Sequence, residues 1–234
     1  MKKKKLVVLT GAGISAESGI PTFRGSGGLW EGKNVQEVAS PLGWLQDQAM
    51  VLDFYNQRRR QIVQCEPNAG HRALVDLEKY FDVQIITQNI DNLHERAGSK
   101  NILHLHGEIL LARSTADPSL IYELEGGKDI LEGDLCEKGS QLRPHIVWFG
   151  EDVPAFQDAL ILSQQADVYM VVGTSLAVYP ANTLLNYTKE GTSIYIVDPG
   201  QPEFISSEQI HLIQAPATTG IPSIMDELIK ISEA

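Results

Sequence analysis

The chain has 234 residues, of which 43% are hydrophobic, so it can bury the core of one large domain with a smaller appendage. Its 30 acidic and 19 basic side chains give a formal net charge of -11, which disfavours nucleic-acid partners because a phosphate backbone is also negative. The two cysteines, Cys65 and Cys136, are too distant in sequence for a CxxC metal or redox pair and indicate no disulfide framework.

The start of the chain carries a lysine cluster, residues 2–5, followed by an apolar segment that glycine soon ends. This segment is too short for a signal peptide, and no apolar run approaches the roughly 20 residues that span a bilayer. The lysines could contact nucleic acid or acidic lipid, but a solvated lead-in to a buried strand is the preferred interpretation. We therefore expect a cytoplasmic protein without nucleic-acid or membrane partners.

Apolar segments rich in β-branched residues alternate with segments of helical spacing. Because the apolar segments are continuous, they predict strands buried on both faces, at 6–10, 83–87, 168–173 and 193–198. Helical spacing predicts helices at 43–63, 69–80, 154–166, 180–188 and 221–232. The alternation predicts an α/β fold, a Rossmann-like doubly wound parallel sheet that binds its ligand at the carboxyl ends of the strands.

Two stretches, 25–66 and 109–144, do not follow this alternation. The first is a loop followed by a helix, and the second is rich in Gly, Asp and Ser with little periodicity. We interpret both as insertions that join into a small domain. The remaining residues, 1–24, 67–108 and 145–234, would then form the Rossmann-like domain that carries the ligand site.

The first predicted strand runs directly into Gly11-Ala12-Gly13-Ile14-Ser15-Ala16, a GxGxxA pattern. At a strand-to-helix turn, such small residues let backbone N–H groups approach a pyrophosphate, although a tight turn that needs glycine for its dihedral angles is an alternative. Gly19 and Pro21 then cut the helix short, whereas a dehydrogenase continues to a second strand with an acidic residue about 20 residues on. The pattern favours a cofactor-covering loop over a hydride-transfer enzyme.

Polar residues follow the second predicted strand, at the expected ligand edge of the sheet. Gln88, Asn89 and Asp91 come directly after this strand, although Asn89 and Asp91 could instead cap the next helix. Further on, His104 and His106 stand two apart in an extended segment and could face the same side. We do not predict a metal pair there, because no third ligand is indicated.

Five blocks of the sequence together resemble the sirtuin family. They occur in order and with plausible spacing over most of the chain, which makes the resemblance highly specific. The blocks are GAGISAESGIPTFRG at 11–25, TQNIDNLHERAG at 87–98, LHLHGE at 103–108, RPHIVWFGE at 143–151 and GTSLAVYPA at 173–181.

The resemblance implies an NAD-dependent deacylase that removes acetyl, and also succinyl or malonyl, groups from protein lysines. In the implied mechanism the acyl oxygen attacks the nicotinamide ribose as nicotinamide leaves, and His106, the histidine before Gly107, accepts a proton from a ribose hydroxyl. The acyl group ends on ADP-ribose. A histidine with an ordinary pKa near 6.5 supplies a neutral base at cellular pH. The resemblance also gives Asn89 and Asp91 catalytic roles and leaves His104 structural.

The resemblance further implies an NAD-binding set. Phe23 would shield the ribose from water and Arg24 would order its loop, although a core phenylalanine and a surface arginine are alternatives. Asp198 could accept from ribose hydroxyls or serve as a turn residue, and the segment 173–175 could also cap a helix. The complete set is Gly11, Ala12, Gly13, Ser15, Glu17, Phe23, Arg24, Gln88, Asn89, Ile90, Asp91, Gly173, Thr174, Ser175, Asp198 and Ala217.

Tyr55 and Arg58 stand three apart on a predicted helix and therefore share a face. An arginine with a tyrosine hydroxyl can hold a carboxylate by charge-assisted hydrogen bonds, as a Tyr-x-x-Arg pair does in the sirtuin subgroup acting on succinyl- and malonyl-lysine. The alternative is a core tyrosine followed by a solvated arginine run, 58–60. The resemblance also assigns Trp148-Phe149-Gly150 to main-chain pairing with the acyl-lysine peptide, with Val147 at the lysine tunnel.

The insertion at 109–144 departs from the family pattern, because most sirtuins carry two zinc-binding CxxC pairs there. Only Cys136 remains, with Ser114 and Asp117 near the place of the first pair. One thiol cannot build a closed tetrahedral site, so we expect no zinc and a hydrophobic patch in its place. The candidates for this patch are Leu110, Leu111, Leu120, Ile121, Tyr122, Leu124, Ile130 and Leu131.

Two competing functions use the same pocket. One is an NAD-dependent protein ADP-ribosyltransferase, which also begins by breaking the nicotinamide bond; the other is a catalytically silent NAD or ADP-ribose sensor. The presence of His106 favours deacylation over the first, and a sensor would show erosion at His106, Asn89 or Asp91, where none occurs.

Overall fold

A computed structural model describes residues 2–22, 29–30, 32–202 and 208–233 of the chain. The strands are β1 Lys5–Thr10, β2 Leu29–Trp30, β3 Lys33–Asn34, β4 Asp82–Thr87, β5 Ile102–His104, β6 Gly107–Ser114, β7 Ile121–Glu123, β8 Leu142–Ile146, β9 Val168–Val172, β10 Ser193–Val197 and β11 Ile210–Ile213. The α-helices are α1 Gly13–Ala16, α2 Val35–Val38, α3 Pro41–Gln46, α4 Gln48–Gln64, α5 Ala69–Leu77, α6 Leu93–Ala97, α7 Phe156–Gln164, α8 Ala217–Ser223 and α9 Met225–Glu233, with 3₁₀ segments at Glu125–Gly127 and Ala181–Tyr187.

The main sheet has six parallel strands in the order β11-β10-β9-β1-β4-β5. From the central β1 the chain moves to β4 and β5 on one side, and it later returns to the other side of β1 with β9. The direction of winding therefore reverses between β1 and β9, which is where doubly wound sheets bind ligands. The predicted α/β fold is confirmed.

Continuous apolar runs form the central strands because both faces of the sheet are covered. Along β1, Leu6 and Val8 belong to the apolar cluster under α5, α8 and α9, whereas Val7 and Leu9 belong to the cluster under α7. All four side chains are fully buried. Successive side chains of a strand point to opposite faces, so a strand with a core on each face needs apolar residues at every position.

The predicted elements differ from the observed ones mainly at their ends and at the edges of the sheet. The helix predicted at 43–63 is divided into α3 and α4 at Asp47, whose side chain accepts from the N–H of Met50 and so begins a new helix. The segment at 180–188 is 3₁₀ rather than α-helix, and the one at 221–232 breaks at Ile224 between α8 and α9. Strands β5 and β11 were not predicted, because short edge strands carry little apolar signal.

The two insertions pack on each other. Strands β7-β6-β8 form a three-stranded antiparallel sheet, and α4 contacts β6 and β8. One apolar cluster joins Val51 and Phe54 of α4 to Ile109 and Ala112 of β6, and it continues to Trp148 beyond β8. This packing is what the division into two domains anticipates, but the domain boundaries themselves remain a prediction.

Arg59 ties α4 to β6 inside this cluster. Its side chain is fully buried, and its guanidinium donates to the carbonyl of Ile109 over 2.7 Å and to Asn56 Oδ1 over 2.7 Å. Asn56 in turn donates to the carbonyl of Ile130 and accepts from its N–H. Burial lowers the pKa of Arg59 to about 10, which leaves it protonated at neutral pH.

In the insertion at 109–144, the remaining cysteine makes a hydrogen bond to a serine. Cys136 is buried, with its Sγ 3.3 Å from Ser114 Oγ, and Asp117 pairs with Lys138. Within the described ranges, no group of three or more His, Cys, Asp or Glu side chains is placed to hold a metal. In the same ranges, no helix combines the length and apolarity needed to cross a membrane.

The expected hydrophobic patch is only partly formed. Ile130 is buried in the cluster shared with α4, and Leu110 and Leu124 pack against it. Ile121 and Leu131 are exposed, at 47% and 60%. The prediction that these two help to replace the zinc is therefore wrong.

We predict that Arg59→Ala lowers the free energy of unfolding by about 2–4 kcal/mol, because it leaves the buried Ile109 carbonyl without its guanidinium donor and removes one of the two hydrogen bonds to Asn56 Oδ1. The matched control is Arg60→Ala in the same helix. Arg60 is half-exposed and pairs with Asp129, so its loss should cost less than about 1 kcal/mol. Urea denaturation measures both, and equal losses would contradict the role given to Arg59.

We also predict that the purified protein contains no stoichiometric zinc, because Cys136 bonds to Ser114 and the other thiols of a zinc site are absent from the sequence. Elemental analysis of protein prepared with added zinc measures the content. About one zinc per chain, removed by a chelator together with a loss of folding, would overturn this expectation.

Candidate active site

A cavity of about 1040 Å³ opens where the central parallel strands end. Its lining comes from the turn after β1, the segment 88–91 after β4, the segment 146–153 after β8, the segment 173–180 after β9 and Asp198 after β10. Tyr55 and Arg58 of α4 complete it. The volume is at the upper end of the range for small-molecule and cofactor sites.

Two turns meet in backbone contact at the floor of this cavity. The N–H of Gly11 donates to the carbonyl of Val172 over 2.9 Å, and the N–H of Gly13 donates to that of Gly173 over 2.8 Å. A Cβ on Gly13 would lie 2.5 Å from Gly173 Cα, and Gly173 has a φ of +60°. Glycine is needed at these positions because two loops that both border the cavity approach each other too closely for a side chain.

Buried polar side chains join these turns to the segment after β4. Asn89 Nδ2 donates to the carbonyl of Gly11 over 3.1 Å and to Ser15 Oγ over 3.2 Å, and Ser15 Oγ donates to Asp91 Oδ2 over 3.0 Å. Asp91 also accepts from the N–H of Leu93, so it holds the start of α6 as well as bordering the cavity. Burial raises the pKa of Asp91, although these hydrogen bonds favour its charged form.

A further set of buried polar side chains holds the backbone of Asn89 in place, and these residues were not predicted from the sequence. Thr10 Oγ1 donates to Thr87 Oγ1 over 2.8 Å and lies 3.1 Å from His94 Nε2, while Thr87 Oγ1 accepts from the N–H of Asn89. Thr10 and Thr87 are register partners at the last positions of β1 and β4. The sequence feature that could have indicated them is the threonine at the end of each of two apolar strands.

His106 is the histidine that borders the cavity. Its Nδ1 lies 3.0 Å from the carbonyl of Gln88, which can only accept, so Nδ1 carries the proton and Nε2 keeps the lone pair. Burial lowers the pKa of His106, and the hydrogen bond to Gln88 opposes this shift only in part. The side chain is therefore a neutral base at neutral pH.

His104 is held away from the cavity lining. Its Nε2 lies 2.7 Å from Glu95 Oε1 and its Nδ1 3.2 Å from the carbonyl of Asn89. Burial lowers its pKa, but Glu95 outweighs that effect, so the pKa of His104 is raised overall. The two histidines of the LHLHGE block thus have opposite electrostatic environments, and a shared metal site is not formed.

The segment after β8 connects the histidine to the helix α4. The N–H of Val147 donates to the carbonyl of His106 over 2.9 Å, and the N–H of Phe149 donates to that of Ala39 over 2.9 Å. The N–H of Trp148 donates to Glu151 Oε2 over 2.8 Å. The N–H groups of Val147, Trp148 and Phe149 are therefore all bonded within the chain.

Tyr55 and Arg58 both border the cavity and are 0% and 2% exposed. The alternative of a solvated arginine run is wrong for Arg58 and for Arg59, since only Arg60 is substantially exposed. Burial raises the pKa of Tyr55 far above its ordinary value. The hydroxyl consequently remains protonated at any physiological pH.

The described residues of the predicted site come together with one exception. Ala217 does not border the cavity; it is 2% exposed and packs α8 against Gly70 of α5, while the preceding Pro216 reaches the lining. Asp198 borders the cavity and also accepts from the N–H of Gly200, as its alternative role as a turn residue requires. Phe23 and Arg24 lie outside the described residues.

Two further predicted residues join neighbouring segments at the edge of the cavity. Glu17 borders the cavity and its Oε2 accepts from Thr218 Oγ1 over 2.5 Å, which connects α1 to α8. Gln88 Nε2 donates to Thr174 Oγ1 over 3.1 Å and so joins the segments after β4 and β9. The other predicted residues that border the cavity are Gly11, Ala12, Gly13, Ile90, Ser175, Val147, Trp148, Phe149 and Gly150.

Comparison with known proteins gives a consistent result. An NAD-dependent protein deacylase of Helicobacter pylori (strain J99) is 51% identical over 229 residues, which cover 98% of this chain and 97% of that protein. A solved complex of a Sir2 homologue with NAD has a TM-score of 0.85 and 39% identity, covering 99% of this chain and 90% of that one. A Sir2 variant solved with a deacetylated p53 peptide and 3′-O-acetyl ADP-ribose has a TM-score of 0.79 and 32% identity, covering 96% and 94%.

The family model that matches the chain carries the description Sir2 family and spans residues 11–180. This span contains the glycine turn, the segment 88–91, His106 and the segment after β8, which together build most of the cavity. The chain belongs to the Sir2 family.

Proposed function

We propose that this chain is an NAD-dependent protein-lysine deacylase in which His106 is the catalytic base. The observation that carries the proposal is the position of His106, which borders the same cavity as the glycine turn and the segment 147–150. Its Nδ1 is fixed on the Gln88 carbonyl, so the basic Nε2 is the nitrogen available for a substrate proton. The relatives named NAD-dependent protein deacylase support the same function.

The polar groups of the cavity fit NAD. Asp198 can accept from ribose hydroxyls, Thr174 and Ser175 offer hydroxyl groups at the turn after β9, and the turn 11–13 borders the same space. A volume of about 1040 Å³ leaves room for an acyl-lysine beside a dinucleotide. When bound, NAD supplies the nicotinamide–ribose bond, whose cleavage lets the ribose take over the acyl group.

The residues of this chain then hold the reactants and move one proton. His106 Nε2 accepts a proton from a ribose hydroxyl, and the Gln88 carbonyl keeps Nδ1 protonated so that the developing imidazolium is stabilised. Asn89 and Asp91, which would lie at the nicotinamide end, are held in place by their bonds to Ser15. Their rigidity keeps the reacting ribose in one orientation, which lowers the entropic cost of reaction.

The acyl-lysine enters between Val147 and α4. The substrate main chain would pair with carbonyl groups of the segment 147–150, because the N–H groups of Val147, Trp148 and Phe149 are engaged within the protein. The Trp148 carbonyl is excluded, since it accepts from the N–H of Glu151. The acyl group would then meet Tyr55 and Arg58, which border the same cavity.

We propose in addition that the enzyme prefers acidic acyl groups such as succinyl and malonyl. A buried guanidinium beside a buried hydroxyl offers a carboxylate charge-assisted hydrogen bonds in a water-poor site, where they are stronger than in solvent. An acetyl group lacks the charge that this pair recognises. The support is the burial of Tyr55 and Arg58 in the cavity lining.

We predict that His106→Ala lowers kcat by about 10²–10⁴-fold while NAD binding and the unfolding midpoint change little, because only the base is removed. The matched control is His211→Ala, on the edge strand β11 and outside the cavity lining, which should retain wild-type turnover. Turnover is measured by mass spectrometry of an acyl-lysine peptide with and without NAD. Wild-type turnover in His106→Ala would sink the assignment, and ADP-ribose attached to protein would favour the transferase alternative.

The same experiment extends to pH. Because the pKa of His106 is lowered, its neutral form persists to more acidic pH than an ordinary histidine, and kcat/KM should fall only as the pH drops through a value below 6.5. An acid limb centred above 6.5 in the kcat/KM profile would be inconsistent with this base.

We predict that Arg58→Met abolishes the preference for succinyl- over acetyl-lysine and spares deacetylation. The lost contact is worth on the order of 1.5–3 kcal/mol, or about tenfold to a hundredfold in kcat/KM for the succinyl peptide. Matched acetyl and succinyl peptides measure the ratio, with Arg60→Met on the outside of the same helix as the control. Equal losses on both substrates would show that Arg58 supports structure, and a wild-type preference for acetyl would reject the acidic pocket.

A further inference from the structure

Trp148 makes a direct hydrogen bond to the tyrosine of the acyl pocket. Its Nε1 lies 3.0 Å from Tyr55 Oη, and both side chains are buried. An indole N–H is a donor only, so the tyrosine oxygen must accept this bond. The phenolic proton therefore takes no part in the bond to Trp148, and Tyr55 can donate it to a different acceptor.

The indole that makes this bond is itself held in place. Its ring lies under the guanidinium of Arg143, whose central carbon is 3.2 Å from the ring centroid, and it packs at a tilt against Trp44 with centroids 5.7 Å apart. Arg143 Nη1 donates to Glu151 Oε1 over 2.6 Å, and Glu151 Oε2 accepts from the N–H of Trp148. Ring and backbone of Trp148 are thus fixed by one ion pair.

A fixed donor on the tyrosine oxygen limits the directions in which the hydroxyl can point. A phenolic O–H prefers the two directions that lie in the plane of its ring, and a donor bonded to the oxygen on one side favours the O–H on the other side. Tyr55 borders the cavity together with Arg58. An O–H preset toward the cavity loses less entropy when a carboxylate binds, so it discriminates better in favour of an acidic acyl group.

We propose that Trp148 is a positioning residue for acyl selectivity: its indole N–H orients the Tyr55 hydroxyl so that the phenolic proton is offered to an acidic acyl group. This inference rests on the acidic-acyl preference proposed above. Trp148 acts through Tyr55 and does not take part in the proton transfer at His106.

The test compares kcat/KM for matched succinyl- and acetyl-lysine peptides in Trp148→Phe, Tyr55→Phe and the double variant. Trp148→Phe keeps a smaller aromatic ring under Arg143 and removes the N–H donor, so the succinyl-to-acetyl ratio should fall about threefold to tenfold. Most of the loss should lie in KM for the succinyl peptide. In the double variant the ratio should equal that of Tyr55→Phe alone, because the two residues act through one hydroxyl.

Trp44→Phe is the matched control, since it makes the same chemical change in the same aromatic cluster at a residue outside the cavity lining. Its succinyl-to-acetyl ratio should stay at the wild-type value. A ratio that falls in Tyr55→Phe but not in Trp148→Phe would overturn the positioning role while the acidic pocket stands. Equal drops in Trp44→Phe and Trp148→Phe would show that ring packing, not the N–H, is responsible.

A second measurement does not depend on turnover. In an NMR spectrum the indole N–H resonance of Trp148, identified by its disappearance in Trp148→Phe, should shift in Tyr55→Phe because its acceptor is lost. An unchanged resonance would overturn the inference. Absence of NAD-dependent activity on every peptide in the wild type, with this shift observed, would instead reject the proposed function and leave the Trp148–Tyr55 bond established.

Discussion

The contact between the turns after β1 and β9 is the constraint on which the site depends. These strands are neighbours at the point where the sheet reverses its winding, and their turns bond backbone to backbone through Gly11, Gly13 and Gly173. Two loops can approach this closely only without side chains between them, as the 2.5 Å separation for a Cβ on Gly13 shows. The floor of the cavity is therefore backbone, and the functional side chains are supplied from around it.

Polar side chains at the ends of the strands hold the residues that border the cavity in fixed positions. Thr10 and Thr87 end two buried strands in register, and their hydroxyls with His94 hold the backbone of Asn89. Buried polar groups are costly unless they are bonded, so such a chain of hydrogen bonds specifies one arrangement. This chain of hydrogen bonds helps to fix the positions of the Asn89 amide and the Asp91 carboxylate. Neither threonine itself borders the cavity.

One short segment, 147–151, relates the two halves of the proposed chemistry. Val147 bonds to the backbone of His106, and Trp148 bonds to the side chain of Tyr55 on α4. Glu151 closes the segment by binding Arg143 and the N–H of Trp148, and Arg143 lowers the pKa of this carboxyl although burial opposes the shift. The proposed base, His106, and the proposed acyl pocket on α4 are thus both bonded to the same short segment, which fixes their relative positions.

Much of this could be predicted from the sequence. Continuous apolar runs indicated the parallel strands because a strand covered on both faces has no polar side, and the central strands were placed to within a residue or so. The family blocks pointed to His106 and the glycine turn, whereas the Tyr55–Arg58 pair was predicted from its helical spacing and the Tyr-x-x-Arg pattern of the subgroup. The short edge strands β5 and β11 were not predicted, because they have too few buried positions to produce a recognisable apolar pattern.

Only the tertiary structure decided what identical residues do in different places. Three consecutive arginines look alike in sequence, but the 100° turn per residue of α4 directs Arg58 to the cavity, Arg59 into the core and Arg60 to solvent. The resemblance told His106 from His104, yet their contrasting pKa shifts arise from the Gln88 carbonyl and the Glu95 carboxylate. The sequence by itself determined the fold and the family and singled out His106 as the proposed base, because these follow from local patterns and shared motifs. The roles of Trp148, Arg59 and the paired threonines depend on long-range contacts, which no local pattern records.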